Sequence, residues 1–583
     1  MLRANEYRTH NSAMINEGLN NQTIIFAGWI DTIRDHGGII FLDVRDHYGF
    51  LQVVVEDTSI VPSLKKEQCI SAEGILKVRD ANSINPKINT GTVELFASKI
   101  TILGDVVSQV PFDISDSKNI REDLRLKYRY LDLRNPEVHN KIVLRSKVVN
   151  HIRKKMTELG FLEITTPILT ASSPEGARDY LVPSRKHKGR FYALPQAPQI
   201  FKQLLMVSGF DKYFQIAPCF RDEDARADRA PGEFYQLDFE LSFATQEDVF
   251  AVAETVLYDV FKTFGNGTVS KPPFTRLTYD ESMLTYGSDK PDLRNPLKIV
   301  DLSDFFNKCE FMPFKNKCVR AIKVAGGASV SKSFHEKMLE FAMSIGMKGL
   351  GYISVNDDKT YKGPIDKFIP SELKGELATL TDIHPGDLLF FIADSKDKAP
   401  DLAGQIRTEL GKRLNLIDEN RFEMCFIVDF PMYEIDEETG DWTFKHNPFS
   451  MPQGGLEALN TKDPGEILAY QYDIVCNGVE LSSGAVRNHE TATMEKAFEI
   501  AGYTKEVIET KFPSLYNAFK FGAPPHAGMA PGIDRILMLL ARENNIREVI
   551  AFPMNKNAQD LMMGAPTEVT EKQLREVHIK VRD

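Results

Sequence analysis

The stretch Phe220-Arg221-Asp222-Glu223-Asp224-Ala225-Arg226-Ala227-Asp228-Arg229, followed by Glu233-Phe234-Tyr235-Gln236-Leu237-Asp238-Phe239-Glu240, decides the reading of this chain. Its second half alternates strictly. In a strand, Gln236, Asp238 and Glu240 face one way, and Leu237, Phe239 and Leu241 the other. Three polar residues on one strand face need water or a ligand, because burying them unpaired is costly. Arg221 ends the preceding strand, Tyr213–Arg221, and can offer a planar fork to a phosphate. Read alone, the stretch also fits a salt-bridged surface hairpin.

Two further stretches downstream have related chemistry. In Asp473-Ile474-Val475-Cys476-Asn477-Gly478-Val479-Glu480, Asn-Gly between apolar runs predicts a two-residue hairpin turn. That turn pairs Cys476 with Val479 and Val475 with Glu480, placing Asp473 and Glu480 on one face as diagonal neighbours, with backbones about 7–8 Å apart. Two such carboxylates suit a Mg²⁺ held on a substrate phosphate, or simply an acidic edge. Ser482-Ser483-Gly484 then allows close backbone approach, and Arg487 adds a second anion fork. The third stretch, Gly528-Met529-Ala530-Pro531-Gly532-Ile533-Asp534-Arg535, puts small residues ahead of the apolar run Ile536–Ala541. This suits a nucleotide lying close to a helix start, though a lone Gly-rich turn is weak evidence.

The surrounding chain has 583 residues, enough for several domains. Hydrophobic residues make up 42% and charged residues 26%, which excludes a disordered or fibrous chain. The net charge of −11 gives no support to a wrap-around nucleic-acid packager but leaves room for a local basic surface. No apolar run approaches the ~18–20 residues of a membrane span, and the polar start MLRANEYRTH predicts no secretory leader. Six scattered cysteines without C-x-x-C argue against a zinc ribbon or disulfide scaffold. The expectation is a cytoplasmic protein.

Residues 1–108 read as five short strands, a small barrel of the OB type or another small β-barrel. Residues 109–140 form a basic hinge. From Lys118 to Lys155 there are twelve basic residues and four acids, a local +8. The two readings are an RNA-backbone surface, slightly favoured, and a salt-bridged helix face. Residues 141–287 alternate helices and strands. Residues 288–424, opening with Asp289-Lys290-Pro291-Asp292, look like an inserted α/β module, and the first pattern resumes over 425–583. The fold class is therefore α+β and multidomain.

Taken together, the three stretches resemble, in order and content, the signature motifs of class II aminoacyl-tRNA synthetases. Motif 1 is matched by Gly160-Phe161-Leu162-Glu163-Ile164-Thr165-Thr166-Pro167. The resemblance extends over nearly the whole chain and is nearest to the bacterial-type aspartyl-tRNA synthetase family. It implies an anticodon-binding OB domain, a hinge, an antiparallel catalytic sheet interrupted by a GAD-type insertion, and a homodimer. The substrates it implies are ATP with Mg²⁺, L-aspartate and tRNA. By position it assigns Glu175, Gln199, Lys202, Arg221, Asp238, His446 and Arg487 to aspartate. ATP falls to Arg221, Asp222, Glu223, Glu480, Gly532, Ile533, Asp534 and Arg535, and Mg²⁺ to Asp473 and Glu480. Phe41, Gln52 and Glu94 resemble anticodon readers, an aromatic for stacking and polar groups for base edges. The motif 2 loop departs from the commoner pattern at Ala230 and Gly232.

The pocket chemistry favours aspartate. Arg487 and Lys202 are two cations available to a side-chain carboxylate, and Glu175 and Asp238 suit an α-ammonium. The alternatives are a class II ligase for asparagine and an OB-fold RNA-binding protein with a degenerate catalytic domain. A finer question is tRNA choice. His36, in the loop Arg34-Asp35-His36-Gly37-Gly38, resembles the subgroup that also charges tRNA-Asn, whereas strictly tRNA-Asp-specific enzymes tend to have leucine there. Asn82, in the second relevant loop, matches neither subgroup clearly.

Overall fold

A computed structural model describes residues 4–61, 63–172, 177–436 and 438–582. The chain divides into two units, Met1–His139 and Asn140–Asp583.

The first unit is built on a closed five-stranded barrel of Thr23–His36, Ile39–Arg45, Phe50–Val55, Cys69–Val78 and Val93–Gly104. Alternate residues Leu42 and Val44, Leu51 and Val53, and Val93 and Leu95 are fully buried in it. Closure removes the free sheet edges that would otherwise invite aggregation. Outward-facing residues alternate with these, among them Phe41, Asp43, Gln52 and Glu94. His36 is the last residue of the first strand and pairs with Ile39 across Gly37-Gly38. This corrects the sequence reading, which put it in the loop. Both glycines have positive φ, 68° and 96°, as a two-residue hairpin turn requires.

The second unit centres on an eight-stranded sheet. Its order is Thr275–Thr278, Met424–Val428, Gln471–Cys476, Val479–Val486, His526–Met529, Gly232–Ser242, Lys212–Arg221 and Leu162–Glu163. All pairs are antiparallel except Thr275–Thr278 with Met424–Val428, and Leu162–Glu163 with Lys212–Arg221. The helix Gln246–Phe264 covers one face. A capping box of Thr245 and Asp248 starts it, and Val249, Phe250, Ala253, Val256, Leu257, Val260 and Phe261 form its buried stripe. Phe250 stacks on Phe426 at 3.9 Å between centroids and meets Tyr472 edge-on at 4.9 Å. Burying one such ring stabilises the core by about 1.5–3 kcal/mol. The opposite face of the sheet carries the polar residues of the site.

The chain leaves after Thr275–Thr278 and returns beside it as Met424–Val428. Between them lies a separate five-stranded sheet of Ile299–Asp301, Cys318–Val324, Leu388–Asp394, Gly351–Val355 and Tyr361–Lys362, with an apolar core on each face.

The RNA-surface reading of Lys118–Lys155 is corrected, because most of those charges are paired. Arg125 and Arg129 meet the fully buried Asp132, and Arg134 meets Glu67 at 2.9 Å. Lys141 lies 2.6 Å from Glu543 and 3.3 Å from Glu548. Arg145 meets Asp534, and Arg153 meets Glu163 at 2.9 Å. The salt-bridged reading holds for this stretch.

Candidate active site

The polar face of the catalytic sheet floors a cavity of about 690 Å³, a size suited to small-molecule ligands. Gly232–Ser242 supplies its centre. The alternation read from the sequence holds, with Asp238 and Glu240 fully buried beneath the cavity and Gln236 lining it. Gly528 makes room for Glu240, since a Cβ there would lie 2.1 Å from Glu240 Oε2 and 2.2 Å from Phe239 O.

Two buried cations answer these acids. Lys202 Nζ donates to Asp238 Oδ1 at 2.6 Å and lies 3.4 Å from Glu240 Oε2. Arg487 donates through Nε to Glu240 Oε1 at 2.8 Å and through Nη2 to Glu240 Oε2 at 3.2 Å. The quartet is neutral in sum. The sequence reading left Lys202 free for a ligand, whereas the structure engages it with Asp238. Burial is the largest influence on Glu240 and opposes its charge, but Arg487 and Lys202 together outweigh it and the Glu240 pKa falls. The reverse balance raises Arg487, where burial is overcome by Glu240. For Asp238, burial prevails over Lys202 and moves its pKa up. Asp238 Oδ2 is buried without a hydrogen-bond partner, a position for a donor from a ligand.

Arg221 also lines the cavity. Its guanidinium lies 5.0 Å over the Phe234 ring, and its Nε has no acceptor. A guanidinium held on an aromatic face with an open donor is set for an anion. Gly232, opposite Arg221 in the ladder, has φ +83°, a conformation that favours glycine. Glu223 lines the cavity and pairs with Arg229 at 2.5 Å. Asp222 is exposed, with its amide donating to Arg178 O at 3.0 Å. It is not among the cavity-lining residues.

The acidic hairpin forms in the predicted register around the turn. Val475 pairs with Glu480 and Cys476 with Val479. Asn477 and Gly478 both have positive φ, 53° and 81°. A bulge follows, so that Asp473 pairs with Ser483 rather than Ser482. Ser483 Oγ donates to Glu480 Oε1 at 3.2 Å, linking the two acid positions. Asp473 is buried, its Oδ1 has no partner, and burial followed by the Glu480 charge raises its pKa well above the carboxylate range. An orphaned buried carboxylate oxygen beside a second carboxylate fits a hard divalent cation. No group of three or more ligating side chains gathers among the described residues. A cation taking most of its ligands from phosphates and water, as Mg²⁺ does, needs only one or two protein carboxylates.

Arg535 sits in the first turn of Ile533–Leu540. Its Nη1 donates to Glu480 O at 2.7 Å and its Nη2 to Asp228 Oδ2 at 3.2 Å. Gly532 lines the cavity, whereas Ile533 is fully buried in the core. Asp534 accepts from the Tyr235 amide at 2.9 Å and from Arg145, which ties the helix to the central strand. His446 stands on the cavity wall, edge-on to Phe430 at 4.9 Å. Crowding by protein, then the Lys445 charge, lowers its pKa although its surface stays open to the cavity.

Glu175 lies outside the described residues. Sequence reasoning missed Lys290, whose Nζ is 2.6 Å from Asp289 and 3.4 Å from Glu480. Burial works against its charge, but Glu480 and Asp289 hold its pKa up. It belongs to the linker entering the insertion, and no local pattern could have found it. Glu240 was visible in the strand alternation but was not assigned.

On the barrel, His36 meets Phe41 edge-on at 5.7 Å. Arg34 makes a bidentate pair with Asp43 at 2.6 and 2.9 Å. Gln52 pairs with Asp43 across the ladder. Glu94 lies 3.6 Å from Arg79, which also donates to Ser83 O beside Asn82. Phe41, Gln52 and Glu94 thus share the barrel's outer surface, with Asn82 on an adjoining exposed turn.

The family model for tRNA synthetases class II (D, K and N) matches residues 121–556, and that for the OB-fold nucleic acid binding domain matches 24–103. The chain is 53% identical over 587 residues to the aspartate--tRNA(Asp/Asn) ligase of Ehrlichia chaffeensis, covering 99% of each chain. It is also 53% identical over 580 residues to the aspartate--tRNA ligase of Streptomyces coelicolor, again covering 99% of each. In fold it is similar to asparaginyl-tRNA synthetase from Pyrococcus horikoshii complexed with asparaginyl-adenylate. That match has a TM-score of 0.58 and 17% identity, over 93% of this chain and 96% of that one.

Proposed function

The chain belongs to the class II tRNA synthetases of the aspartate, lysine and asparagine group, and we propose that it joins L-aspartate to tRNA in two steps, the first of which consumes ATP, on tRNA-Asp and tRNA-Asn alike. The observation that carries this reading is the buried quartet of Lys202, Arg487, Asp238 and Glu240 under a cavity whose other wall holds Arg221, Glu480 and Arg535. Glu240 takes Nε and Nη2 of Arg487, leaving Nη1 as its edge for the side-chain carboxylate of aspartate. Asp238 Oδ2 receives the α-ammonium.

The α-carboxylate oxygen of aspartate attacks the α-phosphorus of ATP, and the bond to pyrophosphate breaks. Arg221 neutralises the carboxylate and α-phosphate as they approach, and Arg535 binds the terminal phosphates. Asp473 and Glu480 would hold Mg²⁺, which when bound supplies positive charge against the phosphates. In the second step a terminal ribose hydroxyl of tRNA attacks the adenylate carbonyl, and AMP leaves. No side-chain nucleophile is needed; positioning and charge neutralisation lower the barrier.

Charging of both tRNAs is supported by the name of the Ehrlichia chaffeensis relative and by His36 at the barrel hairpin. The enzyme works as a homodimer in this reading. Leu162, Ile168 and Leu169, on and beside the sheet's edge strand, are 57%, 45% and 54% exposed and suit an isologous contact. Aminoacylation of purified tRNA-Asp and tRNA-Asn, side by side, tests the proposal. Charging of tRNA-Asp alone would restrict it to the strictly specific activity.

A further inference from the structure

Behind the cavity wall runs a chain of buried hydrogen bonds that ends on Gln199 and whose other side chains, His526 and Gln203, have no assigned role. His526, fully buried, contacts Pro524 O through Nδ1 at 2.8 Å. Its Nε2 is 3.0 Å from Gln203 Nε2. Gln203, also fully buried, accepts from Gln199 Nε2 through Oε1 at 2.9 Å. Gln199 lines the cavity.

The polarity of this chain is fixed from its far end. A carbonyl oxygen only accepts, so Nδ1 of His526 carries the hydrogen. Burial lowers the His526 pKa to about 4, so near neutrality the ring has one hydrogen and Nε2 is an acceptor. Gln203 must therefore turn its NH₂ to His526 and its oxygen to Gln199. Gln199 must then commit one N–H of its NH₂ to Gln203, which fixes the way its amide faces and turns its carbonyl oxygen away from Gln203; the oxygen is the acceptor it can offer, and the second N–H stays beside it.

We infer that Gln203 and His526 are positioning residues that lock the Gln199 amide with its oxygen toward the amino-acid site, so that it accepts a hydrogen bond from the substrate. Aspartate at neutral pH has one donor group, the α-ammonium, so that is what Gln199 reads. The inference rests on the aspartate assignment above. Asp238, which lines the same cavity and whose Oδ2 has no hydrogen-bond partner, is the second acceptor for the same group.

The test compares L-aspartate with succinate, which keeps both carboxylates and lacks the ammonium. Binding is measured by calorimetry on the full-length protein without ATP. In Gln203→Met the relay is cut and the Gln199 amide can rotate. The expected result is a loss of aspartate affinity of roughly tenfold or more, the scale of one charged hydrogen bond, with succinate binding unchanged. In Gln203→Glu the neutral acid can donate O–H to His526 and accept from Gln199, so the aspartate preference over succinate should be kept. Equal losses for both ligands in Gln203→Met, no loss at all, or loss of the preference in Gln203→Glu would overturn the relay. An unmodified protein that binds neither ligand would overturn the aspartate assignment and this inference with it.

Discussion

Arg487→Ala removes one cation from a buried group of four charges. In the intact protein Glu240 receives two hydrogen bonds from Arg487, at 2.8 and 3.2 Å, while Lys202 serves mainly Asp238 at 2.6 Å. After the substitution one ammonium faces two buried carboxylates, and the cavity floor turns from neutral to negative. Two costs follow. Stability falls by about 3–5 kcal/mol, the usual cost of leaving one partner of a buried pair, towards the lower end because Lys202 stands 3.4 Å from Glu240. Aspartate loses the partner of its side-chain carboxylate and meets a net negative floor, a loss of about 2–5 kcal/mol, or roughly 30- to 5,000-fold in affinity. ATP, whose proposed partners are Arg221 and Arg535, should change less than about threefold. Aspartate-dependent ATP–pyrophosphate exchange, with KM measured separately for each substrate, reads both. A double variant with Glu240→Gln removes the stranded charge and should recover stability and a neutral floor, but not the lost carboxylate partner, so aspartate affinity should stay below that of the unmodified protein. A variant that melts early yet keeps the unmodified KM for aspartate would refute the substrate role of Arg487 and leave it only a structural one.

Arg535→Ala should raise the KM for ATP in adenylate formation and leave transfer from preformed aspartyl-adenylate within about twofold, since pyrophosphate has already left by then; equal loss in both half-reactions would contradict its role. His526 has a folded pKa of about 4, below the usual histidine value. The unfolded chain therefore binds this proton first as pH falls, and stability should drop between about pH 6.5 and 4, by an amount on the order of 3 kcal/mol. Chemical denaturation across that range should show a shallower acid limb in His526→Gln, and an unchanged slope would count against the buried neutral ring. His36→Leu should reduce charging of tRNA-Asn more than of tRNA-Asp, by about 1–2 kcal/mol, the scale of one base contact. Its edge-on contact with Phe41 places it beside the proposed stacking residue, and an equal loss on both tRNAs would mark it as a purely structural end to the hairpin.

What could be read from the sequence followed from local rules. Asn477-Gly478 set a turn and a register, and both pairs around it form as expected. The alternation from Gln236 to Glu240 gave the floor of the site, because a strand's period of two needs no tertiary knowledge. The bulge after Glu480 was not legible, since nothing in Leu481-Ser482-Ser483 distinguishes a regular ladder from one with an extra residue. The basic run Lys118–Lys155 was misread because its partners are remote in sequence: Glu67, Asp534, Glu543 and Glu548 come from elsewhere in the chain. Lys202 looked like a free cation for the same reason, its partner being 36 residues away on another element. Lys290 reaches Glu480 from the entry to the insertion. The relay from His526 to Gln199 joins residues 323 positions apart at one link. Local pattern gave the elements and the facing of their side chains, and folding decided which charges meet.

The central claim is that the Lys202–Arg487 floor selects aspartate for activation and transfer to tRNA. The most direct measurement is ATP–pyrophosphate exchange on the purified protein with aspartate, asparagine and lysine in turn, followed by aminoacylation of tRNA-Asp and tRNA-Asn. Mg²⁺-dependent exchange with aspartate is expected at about a hundredfold or more above the other two, with aspartate esterified to both tRNAs. Exchange driven equally well by asparagine, or none with aspartate, would contradict it.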